Sequence, residues 1–385
     1  MKIQSKTLLR VSAAAMALGL ILLSVGYFSG AKYSVAAGRN GIHVIDSTPH
    51  SVKNLTLEPF QSIDVEVGQT DIELIHSDHY GVDIQYYGDT ELPQYTVENG
   101  TLKISDTPAQ KAGFLWLNMN FNFMQTQNII KIYLPANTSL KNIKVQNNTG
   151  SFQLNGITAE KADIHLDFGS LQIRNAVLGD TSIVLQNGSS TIQNTDVKNL
   201  SFANDFGKSS FENFKTDSVT NSTIKAKNGQ IDITNFSSTG PLLLEDKFGG
   251  IRVDGMKAES VKSTMQNGKL EMYHSQINDL TAENSFGEIN LNDLTSNGLN
   301  LKSGNGSISL NGTPKGSSTI KSDFGKVTVK TSLTQSKYNY DFSTNFGSVK
   351  INGQSAGNNV RQNNSTENAL SIHCQNGGFD ADFQQ

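Results

Sequence analysis

The sequence predicts an all-β fold: a parallel β-solenoid of about 19-residue, glycine-centred units, preceded by one N-terminal transmembrane helix. Three observations predict it. The segment Asp167-Phe168-Gly169-Ser170-Leu171-Gln172-Ile173 returns in outline at Asp205-Phe206-Gly207, Lys247-Phe248-Gly249, Ser285-Phe286-Gly287, Asp323-Phe324-Gly325 and Asn345-Phe346-Gly347. Between these copies stand Gln186-Asn187-Gly188, Lys227-Asn228-Gly229, Gln266-Asn267-Gly268 and Gly304-Asn305-Gly306. From Gly150 to Gly325 the pivotal glycines recur 19 residues apart, except for gaps of 22 after Gly207 and 20 after Gly229, and a period this regular is a property of architecture. The second observation is period-two alternation within units, as in Leu299, Leu301, Ile308 and Leu310 around Gly306, which marks short strands with one buried face. The third is composition: 34 Gly against 7 Pro, with 36% hydrophobic residues, suits a thin, strand-rich chain with many turns.

The N-terminus reads as an address. Lys2, Lys6 and Arg10 precede Val11 to Ala31, which carries no charge. About 20 such residues in a helix reach about 30 Å, the hydrocarbon thickness of a bilayer. The sequence therefore predicts a basic cytoplasmic tip at 1–10, a transmembrane signal-anchor at 11–31 and export of everything beyond, following the positive-inside bias. A single-pass cell-membrane protein is expected; secretion after cleavage at Ser29-Gly30-Ala31 or Ser34-Val35-Ala36 is the alternative. Residues 32–54 read as a polar stalk. Over 55–140 the runs Ile63, Val65, Val67 and Ile72, Leu74, then Val82, Ile84, are broken by Gly68 and Gly81, and Asn99-Gly100 sits between Val97 and Leu102 as a tight turn. This is an irregular β lead-in or cap. The solenoid proper is expected over 141–385, with a looser C-terminal end after Gly347.

Each 19-residue unit holds two strands of about five residues and cannot bury a face alone. Stacked in register at about 4.8 Å, each unit covers its neighbour's apolar row. Two alternatives stay open: stacked antiparallel hairpins, because Asn-Gly is a hairpin signal, and coils of 38 residues, which would put Phe168, Phe206, Phe248, Phe286 and Phe324 on one ladder with no asparagine between them.

The early Ile63-Asp64-Val65-Glu66-Val67 strand, the Ile132-Tyr133-Leu134-Pro135 strand and glycine-centred units such as Thr149-Gly150-Ser151-Phe152-Gln153-Leu154, behind a basic-plus-apolar anchor, together resemble the bacterial putative-adhesin family of β-strand-repeat domains. Some of its members accompany Lia-type envelope-stress systems. The resemblance covers about 55–351 and implies a solenoid-like envelope protein with no established catalytic residues.

The chemistry carried by the residues is sparse. The Asp-Phe-Gly triplets resemble the metal-binding triplet of protein kinases, yet no accompanying Gly-rich loop, lysine and catalytic loop are present, so they read as repeat corners. His76-Ser77-Asp78-His79 offers three metal-binding side chains, but nothing completes a site, and a polar turn is expected. No catalytic, metal or cofactor-binding residue is assigned, and no cofactor is expected. A carbohydrate-active β-helix enzyme is the competing class. Among the outward positions three residues after each glycine, only Asp232 and Glu271 are acidic, and Arg252 between them should keep both ionised. The net charge of -4, with no Lys/Arg stripe, excludes a nucleic-acid footprint. The single cysteine, Cys374, forms no internal disulfide. Outside the array, Gly113-Phe114-Leu115-Trp116 opens a stretch running to Met124, and Phe114 and Trp116 are the candidate interaction surface. The expected function is that of a non-catalytic binding module whose partners are the membrane through 11–31 and an envelope protein, cell-wall polymer or host surface.

Overall fold

A computed structural model describes residues 5–28, 35–38, 41–44, 49–87, 92–106, 127–217 and 220–384. The body is a parallel solenoid, and its coil is one unit. Ile164 lies beside Ile183, Phe168 beside Asn187, Gly169 beside Gly188 and Ile173 beside Ile192, each 19 residues on. The same register recurs at Phe248/Asn267 and Phe286/Asn305, and across the longer gap at Phe206/Asn228. This excludes both the 38-residue coil and the stack of antiparallel hairpins for the array.

A coil has three faces rather than the expected two strands. After Gly169 the inward residues are Leu171 and Ile173, then Ala176 and Leu178, then Thr181, Ile183 and Leu185, all buried. The middle pair is the face that period-two reading overlooks, because Asn175, with φ of 51°, turns the chain between Ile173 and Ala176 and resets the alternation. In two coils that face carries aromatic rings: Phe214 and Phe236 stack at 5.6 Å, and Phe211 of the preceding face meets Phe214 edge-on at 5.5 Å. Seven inward side chains per coil, at about 1.5–3 kcal/mol for each large aliphatic buried, are gained only when a neighbouring coil covers them.

Both ends of the stack depart from sequence order. Ser62–Gln69 lies parallel to Asn142–Thr149 on one side and to Thr101–Ser105 on the other. The layer of 62–77 is thus held between the layer formed by 101–105 and 129–135 and the layer of 142–155. At the far end Asn368–Asn376 pairs with Ile308–Phe324 on one side and Tyr338–Phe346 on the other, so a layer that follows both in sequence sits between them in space. The 30-residue gap from Gly347 to Gly377 is therefore not a looser end. It is the path the chain takes around its own outermost coil before returning. Antiparallel strands then close the ends: Gly81–Tyr87 pairs with Ile129–Pro135 and with Pro49–Thr56, and Asn359–Gln362 pairs with Tyr338–Phe346. Such caps protect the open edges of a parallel stack.

At the N-terminus Ser5–Phe28 forms a helix of 24 residues, and Met16, Leu18, Leu20, Ile21, Leu22 and Val25 lie exposed on it. Among the described residues, no helix is long and apolar enough to cross a membrane. The expected transmembrane helix over 11–31 is therefore not supported as a span. The helix ends at Phe28, short of the end of the uncharged run, and Lys6 and Arg10 occupy its first turns. Within the stalk, Val35–Gly38 and Gly41–Val44 form a small antiparallel hairpin.

Candidate interaction surface

The surface is built around three corners per coil, each with its own chemistry. At the glycine corner the backbones of successive coils approach so closely that a Cβ on Gly188 would meet the carbonyl oxygen of Gly169, and one on Gly287 that of Gly268. The chain turns just before this glycine. In the coil of Gly287, Ala282 and Asn284 point inward, and the corner then swings Phe286 out into solvent.

The result is a column of exposed aromatic rings. Phe168, Phe206, Phe248, Phe286 and Phe324 are 50–54% exposed and Phe346 is 72% exposed. Asn187, Asn228, Asn267, Asn305 and Asn376 separate them, one layer each. The last interval is informative. In sequence, Phe324 and Phe346 belong to consecutive corners, whereas in space Asn376 stands between them, paired with both. Period-two reading counts Phe286 and Phe324 among the apolar residues of their units; the structure places them outside.

The second corner is an asparagine ladder. Asn175, Asn194, Asn213 and Asn235 all have φ near 50°, and each donates its side-chain amide to the asparagine one coil earlier, at 2.9–3.3 Å. Asparagine tolerates this left-handed conformation and extends the backbone ladder with its side chains. At the third corner Asn199 donates to Asp180 and Asn278 to Glu259. Two open grooves lie on the outside. One, of about 370 Å³, is lined in part by Glu73, His76, Gln153 and Arg174, and the other, of about 550 Å³, by Glu259, Asn278 and Asn297.

The acidic pair expected on the outward row is ion-paired throughout. Asp232 meets Lys208 at 2.6 Å, and Glu271 meets Lys269 at 2.8 Å and accepts from Tyr273 Oη at 3.1 Å. Lys269, before any effect of Arg252, holds the Glu271 carboxyl below its ordinary range. Arg252 lies over the Tyr273 ring at 5.2 Å. A glycosidase acid needs the opposite shift. In the turn at 76–79, His79 Nδ1 lies 2.6 Å from Asp78, while His76 Nε2 turns away to the Gly156 carbonyl at 2.9 Å, so these side chains do not converge. Among the described residues no group of three or more His, Cys, Asp or Glu could hold a metal ion. Phe114 and Trp116 lie outside the described residues.

The interior has its own polar column three residues before the glycine. Asn204 donates to the Gly188 carbonyl and Asn284 to the Gly268 carbonyl, both at 3.0 Å, and Asn147 donates to the Thr70 carbonyl at 2.6 Å. The same place in its coil is held by Asp246, 1% exposed, whose carboxyl oxygens make no well-formed hydrogen bond and have only the nearby backbone N–H groups of Phe248 and Gly250 to turn to. Burial pushes this carboxyl up to about 6, opposed only in part by the backbone N–H groups of Phe248 and Gly250.

With stacked parallel coils, polar outward rows and one aromatic edge on the page, the class of protein is a parallel β-repeat domain. The chain belongs to the Toastrack DUF4097 family, whose model matches residues 60–246 and again 221–380. A search of curated proteins returns no match. Among solved structures, the chain is similar to a putative cell adhesion protein from Clostridium sporogenes ATCC 15579, at 13% identity over 88% of this chain and 100% of that one, with a TM-score of 0.18. It is similar to a putative adhesin from Bacteroides fragilis NCTC 9343, at 16% identity over 87% and 96%, with a TM-score of 0.19. A putative lipid binding protein from Parabacteroides distasonis ATCC 8503 matches at 15% identity over 89% and 98%, with a TM-score of 0.25. At such identities and scores no residue role transfers from them.

Proposed function

We propose that this chain is a non-catalytic interaction module of the bacterial cell envelope, a β-solenoid rod carried outside the cytoplasm and tethered to the cell membrane through residues 11–31. The observation that carries this reading is the aromatic edge: six exposed phenylalanines in one column, on a body whose other large apolar side chains are almost all buried. Contiguous apolar surface on an otherwise polar protein marks a place where something binds. The outward acids favour binding over catalysis for a separate reason, since Asp232 and Glu271 are both ion-paired with lysines and the Glu271 carboxyl is held below its ordinary range, the wrong direction for a proton donor. The tether is supported by the uncharged run Val11 to Ala31, the basic residues before it and the exposed apolar side chains on the helix Ser5–Phe28. The setting is adhesion or partnership in an envelope-stress response, as the family resemblance implies.

The test is a comparison of tagged full-length protein with its Phe206→Ser/Phe248→Ser/Phe286→Ser variant, both recovered from their own membranes. The wild type should retain an envelope component that the variant loses by about tenfold or more, while both melt at the same temperature because the three rings contribute little to the core. Recovery of the same components in the same amounts by both would overturn the aromatic edge as the binding site.

A further inference from the structure

We infer that the aromatic edge is a self-association surface, on which a second copy of this chain inserts its own phenylalanines over the asparagines. The inference deepens the reading of that edge as a binding site and rests on it. The spacing is its first support. With coils about 4.8 Å apart, phenylalanines in alternate layers stand about 9.6 Å apart. A ring entering midway between two of them lies about 4.8 Å from each, within the 4.5–7 Å range of aromatic pairs. The asparagine at the floor of each gap is short enough to leave that space open. A column shifted by one layer against its own copy is therefore complementary to itself, and a two-fold axis across the rod, midway between a Phe layer and an Asn layer, produces that shift with the rods antiparallel.

The C-terminal end is the second support. Consecutive Phe-Gly corners at 324 and 346 would stack ring on ring if their coils followed in order, filling a gap. Insertion of the Asn376 layer between them keeps the gap open and extends the alternation to the end of the rod. Area is the third. A phenylalanine carries roughly 150–250 Å², so six rings half exposed or more offer on the order of 600 Å² per copy, and together they clear the roughly 1,000 Å² expected of a specific interface. Charge does not oppose the pairing. The residue before each ring is Asp167, Asp205, Lys247, Ser285, Asp323 or Asn345, a mixture of sign, and Asp205 is already paired with Lys227 at 2.5 Å.

The experiment is sedimentation equilibrium of the full-length protein in mild detergent, with two variants. The wild type should be dimeric. The Phe206→Ser/Phe248→Ser/Phe286→Ser variant, which keeps the N-terminal helix, should weaken the dimer by about a hundredfold or more without a change in melting temperature. The Asn228→Phe/Asn267→Phe variant separates a zipper from simple stickiness: filling the gaps should weaken the dimer, whereas non-specific apolar contact would be strengthened. A monomeric wild type, a serine variant that dimerises as the wild type does, or a stronger dimer on filling the gaps would each overturn the inference. A monomeric wild type that still loses its envelope component when the rings are replaced would leave the binding reading standing. Loss of neither property would overturn both.

Discussion

Asp246 is where one residue governs a pH dependence. Its carboxyl occupies the place from which Asn204 and Asn284 donate an amide N–H to the glycine carbonyl of the preceding coil, and a carboxylate has no proton to give. The folded pKa is raised from an ordinary 3.8 to about 6. The stability this group contributes is thus fully present below about 4 and is lost as pH rises through about 6. The difference corresponds to about 3 kcal/mol. Asp246→Asn restores the donor at every pH, so the variant should match the wild type near pH 4 and exceed it at pH 7.5, by up to that amount, in urea titrations at the two pH values. Equal midpoints at pH 7.5 would refute the assignment. Gly188 makes a different point. Its recurrence and its place at a corner are legible in the sequence, and an Asn-Gly pair suggests a left-handed φ, yet Gly188 is not among the glycines that have one. What excludes a side chain is the Gly169 carbonyl of the next coil, a contact between layers that no one-dimensional pattern carries. Gly188→Ala should cost about 1–3 kcal/mol or more by overpacking against backbone, measured against Gly353→Ala, whose φ of 76° is strained but whose Cβ would meet open space.

Within the element, the asparagine ladder explains why a coil has three faces. Asn194 both adopts φ of 50° and bonds to Asn175 and Asn213. Asn194→Ala loses the ladder and strains the backbone, at a cost of about 1–2 kcal/mol for the conformation alone. Asn194→Gly loses only the ladder and should melt above the alanine variant; the reverse order in calorimetry would sink this account. The middle face was illegible because its two inward residues, such as Ala176 and Leu178 or Thr195 and Val197, are too few and too mixed in polarity to register as a strand. In the units at Gly188 and Gly207 serine stands two positions after the glycine, where other units have an apolar residue; Ser190 and Ser209 are buried in the same row, so the row is kept while its chemistry changes. The outward swing of Phe286 was equally hidden, since period-two counting runs straight through a corner.

For the whole molecule, the 19-residue unit was readable from spacing, parallel stacking of single-unit coils was settled only by the observed register, and the order of layers at the two ends was not legible, because strands far apart in sequence pair there and repeat the same local pattern. Truncation tests the observed order. Removing residues 368–385 deletes a layer from inside the stack, uncovering Ile320 on one side and Phe342 on the other. Hydrogen exchange should then show loss of protection across both 317–331 and 338–351, whereas a merely peripheral end would expose only one row. A second whole-molecule expectation concerns the tether: full-length protein should stay with membranes through an alkaline wash, and protein lacking residues 1–31 should be released, as followed by immunoblotting of the two fractions. The internal placement of the 368–384 layer also bears on how the chain is made. A solenoid can grow coil upon coil as it leaves a translocation channel, each new turn templated by the last. This one has to hold the slot beside the 317–331 layer open, or reopen it, until residues 368–384 arrive. A chain lacking residues 368–384 would therefore keep an uncapped β-edge along 317–331, and that layer doubles as the latch that closes this end of the stack.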